Sequence, residues 1–255
     1  MPKKTFFAGD FHLGVHGKIP SRERELQIAR WLDQIQPEAE ALYLMGDLFD
    51  FWFEYRSVVP KGYLRLLGRL ADWRDAGIPV YIFTGNHDLW MFRYFEEELG
   101  IPVYREPIRR ELHGKTFVLG HGDGLGPGDY GYKFLKRIFR NRICQGLFAA
   151  LHPDLAFALA NYWSRRSRLA NMGEDVFLGP ENEWLLQYCE EQLLREQPDF
   201  FIFGHRHLPI DYTLSNGHSR YINLGEWVHS CSYAEFDGTN LQLRFFENPH
   251  GRIFP

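Results

Sequence analysis

The chain has 255 residues, of which 45% are hydrophobic, 24% charged and 16% aromatic, a balance that excludes a disordered or fibrous protein and points to a single domain over 1–255. A chain this long buries roughly 70–75% of its unfolded surface, so its core needs neither disulfides nor a structural metal. The net charge of −4 is uneven: residues 130–168 hold eight Lys/Arg against the one acid Asp154, a balance of +7 that leaves −11 on the remainder. That stretch suits an anionic surface, whereas the rest repels a polyanion such as nucleic acid. Cys144, Cys189 and Cys231 are odd in number and form no Cys-x-x-Cys, so a reducing compartment is expected. Lys3 and Lys4 precede too few apolar residues for a signal-peptide core, and the apolar stretch 147–163 is broken by His152, Pro153 and Asp154. A cytoplasmic protein without a membrane span is the expectation.

In chain order, a short apolar run at 5–8 predicts a strand ending in Gly9-Asp10-Phe11-His12. Ser21 is a candidate N-cap for a helix with Leu26, Ala29, Leu32 and Ile35 on one face, ending before Pro37. A strand at 41–45 runs into Gly46-Asp47, and a helix over 61–76 stops at Gly77. Strands at 80–84 and 116–119 end in Gly85-Asn86-His87-Asp88 and Gly120-His121-Gly122-Asp123. The basic segment 130–168 is helical in pattern and reads as an inserted cap. A helix over 181–195 leads to a strand at 200–203 and then Gly204-His205-Arg206-His207. Close-spaced strands come next at 221–224, 232–236 and 241–247, the last two joined across Asp237-Gly238. The alternation predicts an α/β core with a second, partly antiparallel sheet.

Five strands thus end in glycine followed by a metal-type donor. Ligands in α/β sheets collect outside the carboxyl ends of strands, so Asp10, His12, Asp47, Asn86, His121, His205 and His207 are expected to converge. Seven oxygen and nitrogen donors without thiolate exceed one tetrahedral zinc and suit two divalent ions, with Asp47 as the bridging carboxylate. If the segments are extended, residues i and i+2 project to one side, so Asp10 with His12, and His205 with His207, each deliver two donors. A lone Gly-Asp or Gly-Asn-His-Asp is commonly a turn; the ordered set of five is what is specific.

That ordered set resembles the calcineurin-like metallophosphoesterase superfamily, over Thr5 to about Glu226. The resemblance implies a four-layer α/β sandwich of two mixed sheets flanked by helices. It implies one ion on Asp10, His12, Asp47 and His207 and another on Asp47, Asn86, His121 and His205, commonly manganese, with iron or zinc compatible. It makes His87 the catalytic histidine and Asp88 the carboxylate that orients it. Within the superfamily the chain is most similar to the UDP-2,3-diacylglucosamine pyrophosphatases of lipid A synthesis, through Gly46-Asp-Leu-Phe-Asp-Phe-Trp52, Gly120-His-Gly-Asp-Gly-Leu125, the basic insertion, Gly204-His-Arg-His-Leu-Pro209 and Asn223-Leu-Gly-Glu-Trp227. The best-known branch of that family has Arg where His87 stands; this chain has the Gly-Asn-His-Asp form. The resemblance also makes Asp129 a substrate contact and puts Ser164, Ser167 and Arg168 in a lid.

The insertion interleaves its basic residues with aromatic and aliphatic ones, among them Phe139 and Phe148, which suits acyl chains held in a cap and cations meeting phosphate or anionic lipid at the inner face of the cell membrane. A helical hairpin that packs its aromatics on the core with solvated charges produces the same pattern. Other phosphodiesters or nucleotides, single-stranded nucleic acid stacking on Tyr130, Tyr132 and Trp163, and a metal-binding scaffold without activity are the competing functions. The scaffold reading fits poorly, because no ligand position is lost.

Overall fold

Side chains alternate faces along a strand, and here the alternation sorts the core into three layers of contact. The computed structural model describes residues 3–15, 19–128, 130–170 and 176–255, with side chains described up to 164 in the third of these stretches. The first strands and helices are β1 (Lys4–Ala8), α1 (Ser21–Ile35), β2 (Ala39–Leu44), α2 (Leu64–Asp75), β3 (Val80–Phe83), α3 (Tyr94–Leu99), β4 (Val103–Tyr104), β5 (Ile108–Leu112) and β6 (Lys115–Leu119). Three helices come after them, α4 (Tyr130–Arg140), α5 (Arg142–Ala149) and α6 (Pro153–Ala170). The chain ends with α7 (Trp184–Leu193), β7 (Phe200–Phe203), β8 (Pro209–Thr213), β9 (Arg220–Leu224), β10 (Ser232–Phe236) and β11 (Leu241–Phe245).

One sheet has the order β11-β10-β1-β2-β3-β4 and the other β5-β6-β7-β9-β8. Phe6, Ala8, Leu42, Leu44, Val80 and Ile82 face outward onto Ile28, Trp31 and Leu32 of α1 and Leu66, Leu70 and Trp73 of α2. Their neighbours Phe7, Tyr43 and Phe83 meet Phe117, Leu119, Phe200 and Ile202 of the second sheet. Phe201 and Phe203 turn the other way, onto Leu185, Leu186 and Cys189 of α7. Helices, sheet, sheet and helix therefore form the four-layer sandwich.

Three local expectations change. Ser21 does not cap α1: Pro20 precedes the helix, and the Ser21 hydroxyl accepts from Gly14 N at 2.7 Å instead. The second helix starts at Leu64 rather than 61, where buried Glu25 accepts from Arg65 N at 2.8 Å and so satisfies an amide at the helix start. The Asp237-Gly238 hairpin forms, yet it joins the first sheet, because β10 pairs antiparallel with β1. β5, absent from the sequence reading, pairs with β6 across His113-Gly114, two residues with positive φ as a tight hairpin turn requires.

Candidate metal centre

All five motifs lie at the same end of the two sheets. Asp10 N bonds to Gly46 O and His12 N to Asp47 O, both at 2.9 Å, tying the loop after β1 to the loop after β2. In the second sheet Gly204 N bonds to His121 O, also at 2.9 Å. His121 joins the two halves: its Nδ1 lies 2.8 Å from Met45 O. A carbonyl only accepts, so Nδ1 carries a proton and Nε2, on the side of Asp47, is the ring atom left to face a cation.

Asp10, His12, Asp47, His205 and His207 all have left-handed backbone, with φ between 45° and 68°. The donors therefore converge from tight left-handed turns, not from the extended i, i+2 geometry expected of them. Such a conformation costs a residue with a Cβ about 1–3 kcal/mol and persists where its surroundings enforce it. Here the enforcement includes buried Arg24 of α1, whose guanidinium donates to the carbonyls of Phe11 at 2.9 Å, His12 at 2.6 Å and Val15 at 3.2 Å. Glycine precedes the ligands for a steric reason. A Cβ on Gly85 would run into the Asp47 carboxylate, and one on Gly204 into that of Asp10.

The seven donors form two groups that share Asp47. Ligand atoms of Asp10, His12, Asp47 and His207 all lie within 4.8 Å of one another. His12 Nε2 is 3.1 Å from His207 Nε2, which is 3.2 Å from Asp10 Oδ1. In the other group Asn86 Oδ1 is 2.9 Å from His205 Nδ1 and 3.2 Å from His121 Nε2, and His121 Nε2 is 3.4 Å from Asp47 Oδ2. Asp47 Oδ2 is buried and accepts no hydrogen bond from the described residues. A bare carboxylate oxygen between two sets of nitrogen and oxygen donors fits divalent cations.

Burial works against charge on Asp47, but the imidazoles of His121 and His87 outweigh it and hold the carboxyl well below its ordinary range. Asp10 is likewise held low, burial being overcome by His12 and His207. His205 is pushed down to about 4 by burial and by the nearby charge of His121, leaving a neutral imidazole suited to donate a lone pair.

His87 sits beside these groups, its ring 5.0 Å from that of His12. The carboxylate next to it is Asp50, with Oδ1 at 3.3 Å and the carbonyl at 3.1 Å from His87 Nδ1. Burial lowers the His87 pKa, but Asp47 and Asp50 carry it up to about 9. Asp88 does not orient His87, as the resemblance had implied. Its carboxylate accepts from Gly85 N at 2.7 Å and Leu48 N at 2.8 Å, with Asp47 N at 3.3 Å, so it pins the two loops that carry Asp47 and Asn86.

Ser164 of α6 reaches the same place, donating from Oγ to Asp50 Oδ1 at 2.8 Å. Phe139 of α4 and Phe148 of α5 turn toward the core: Phe148 lies 4.6 Å from Trp90 and 4.9 Å from Phe53, and Phe139 5.4 Å from Trp90. The apolar groups open to solvent are others, notably Phe134, Ile143 and Leu147 at 65%, 74% and 68% exposure. Asp129 and the side chains of Ser167 and Arg168 lie outside the described residues. The sequence reading missed Asp50, although a second carboxylate three residues after Asp47 was its signal. It also missed Glu183, which is buried and holds Arg206, between the two histidines, at 2.8 and 3.1 Å; nothing local marks that pair.

Residues 3–209 match the Calcineurin-like phosphoesterase family. This chain belongs to that family. It is a hydrolase of the metallophosphoesterase type, with a centre able to hold metal. It is 40% identical over 265 residues to a UDP-2,3-diacylglucosamine hydrolase of Porphyromonas gingivalis, covering 97% of this chain and 99% of that one. A UDP-2,3-diacylglucosamine hydrolase of Aeromonas salmonicida is 29% identical over 231 residues, 89% and 87% of the two chains. Among solved structures the phosphoesterase Yfce of E. coli aligns at a TM-score of 0.49 with 17% identity, over 96% of this chain and 94% of its own. Among the described residues no helix is long and apolar enough to cross a membrane.

Proposed function

We propose that this phosphoesterase hydrolyses the pyrophosphate of UDP-2,3-diacylglucosamine to UMP and 2,3-diacylglucosamine 1-phosphate, at an anionic membrane surface to which it binds peripherally. The observation that carries the reading is near-full-length similarity, at 40% identity, to a relative named for that substrate. Two divalent ions, manganese foremost, bound by Asp10, His12, Asp47 and His207 and by Asp47, Asn86, His121 and His205, would supply an activated water and neutralise phosphate charge. Asp47 serves both groups, and its buried, bare Oδ2 supports that assignment. His87 holds its proton on Nε2 toward the leaving phosphate while Asp50 fixes Nδ1. Burial of Asp10, His12, Asp47, Asp50 and His121 limits the competition of bulk water for these contacts.

The insertion supplies recognition of the lipid part. Exposed Phe134, Ile143 and Leu147 lie among exposed Arg137, Arg140 and Arg142, an arrangement suited to acyl chains and anionic headgroups. Ser167, Arg168 and Asp129 are assigned to the substrate side. The test is purified protein with manganese, assayed on UDP-2,3-diacylglucosamine, a UDP-sugar without acyl chains, bis-p-nitrophenyl phosphate and single-stranded DNA. UMP released fastest from the diacylated substrate is the expected result; turnover of the chromogenic diester alone would replace this reading with a generic phosphodiesterase.

A further inference from the structure

Ser164 and Ala156 are the buried residues of α6 among those whose side chains are described, on a helix otherwise open or half-open to solvent. A buried hydroxyl is costly unless it is bonded, and this one donates to Asp50 Oδ1 at 2.8 Å while lying 3.5 Å from His87 Nδ1. Asp50 Oδ1 therefore meets both the serine hydroxyl and the imidazole, groups that come from distant parts of the chain. The residue next to Asp50 makes a parallel contact with the same helix: the Phe51 ring lies 5.0 Å from Phe157 of α6 and 6.0 Å from Phe148 of α5. Trp90 Nε1, a few residues past His87, donates to Phe139 O of α4 at 2.8 Å. The loops that carry Asp50 and His87 are thus each fastened to the insertion, and the fastening at Ser164 touches the carboxylate that orients the histidine.

We propose that Ser164 is a positioning residue: its hydroxyl locks the Asp50 carboxylate and thereby sets the His87 imidazole only while the insertion is seated on the core. The inference rests on the proposed role of His87 toward the leaving phosphate. It differs from the sequence expectation, which assigned Ser164 to the substrate, because the hydroxyl hydrogen is already committed to Asp50. Without the hydroxyl, Asp50 Oδ1 loses one of its hydrogen bonds and is held less firmly against His87 Nδ1, so loss of the hydroxyl reaches the chemistry through Asp50. Lipid substrates that settle the insertion would gain turnover by the same route.

The experiment compares Ser164→Ala, Ser164→Thr, His87→Ala and the Ser164→Ala/His87→Ala double variant of the full chain on UDP-2,3-diacylglucosamine, with kcat and KM measured separately. The expected result is a fall in kcat of about tenfold for Ser164→Ala at nearly constant KM, recovery in Ser164→Thr, and no further loss when Ser164→Ala is added to His87→Ala. A raised KM with unchanged kcat makes Ser164 a substrate contact and overturns the proposal. Equal losses with and without His87 make it structural and overturn it as well. If His87→Ala itself turns over normally, the role of His87 has failed and this inference goes with it; if His87→Ala is slow but Ser164→Ala matches the native protein, only the inference has failed.

Discussion

Asp50 Oδ1 lies 3.3 Å from His87 Nδ1, whereas Asp88, the acid beside His87 in sequence, turns to the backbone amides of Gly85 and Leu48. The two carboxylates therefore differ in what their removal does. Asp50→Asn should keep the fold and the metal content while turnover drops roughly 10–100-fold, because only the orientation of a proton donor is lost. Metal analysis beside steady-state kinetics checks this; loss of metal in proportion to activity would contradict it.

Asp88→Ala removes the acceptor of several buried backbone amides at once, Gly85 N and Leu48 N being the shortest. Each amide left without a partner costs about 1–3 kcal/mol. This variant should melt lower than the native protein and bind metal more weakly, with the melting shift visible in metal-free protein. An unchanged Tm would mean that the loops hold without it.

The shared position of Asp47 predicts a joint loss. Native protein should bind two manganese ions per chain, and Asp47→Ala should retain neither at concentrations that saturate the native centre, since both donor groups lose a member. Elemental analysis after gel filtration reads the outcome. One ion retained would confine Asp47 to a single group.

On the insertion, exposed and packed aromatics should separate. Leu147→Ser and Phe134→Ser expose less apolar surface and should leave Tm within about 1 °C, while lowering kcat/KM on the diacylated substrate roughly tenfold. Phe148→Ala, which strips a ring from Trp90 and Phe53, should lower stability by about 1–3 kcal/mol. Denaturant melts and kinetics on the same samples distinguish the two classes.

A pH effect is expected at the foot of the second sheet. Burial would raise the pKa of Asp199, but Thr116 N at 2.8 Å and Lys115 Nζ at 2.9 Å outweigh it and hold the carboxyl below its ordinary value. A carboxyl depressed in the folded state contributes stability above its unfolded pKa, about 3.9, and loses it as pH falls through the folded value. Asp199→Asn should thus be less stable than the native protein at pH 7, with the gap in urea midpoint closing below about pH 4. A gap independent of pH would assign the effect to lost hydrogen bonds alone.

The converging residues were legible because apolar periodicity and a terminal glycine mark a strand end, and Asp10, His12, Asp47, Asn86, His121, His205 and His207, just past such ends, all reach one place. The sheet partner of the last hairpin was not legible. β10 could extend either sheet on its own pattern, and pairing with β1, more than two hundred residues earlier, is decided by which edge is left open once β2 and β3 have stacked on the other side of β1. β5 was missed because the charged run Arg109-Arg110-Glu111 dilutes the strand pattern, although His113-Gly114 carried the turn signal.

The sequence by itself determined the order of most of the elements, the polar residues that gather past the strand ends and the charge and apolar content of residues 130–168, since each depends on residue type and short-range period. Tertiary structure alone decided that Asp50 and not Asp88 meets His87, that Ser164 closes on Asp50 from α6, and that five donors sit in left-handed turns. The physical reason is that a side chain's direction past a strand end depends on the sign of φ, and that sign is set here by contacts such as those of Arg24 and Asp88 with distant backbone, which no local pattern of residues encodes.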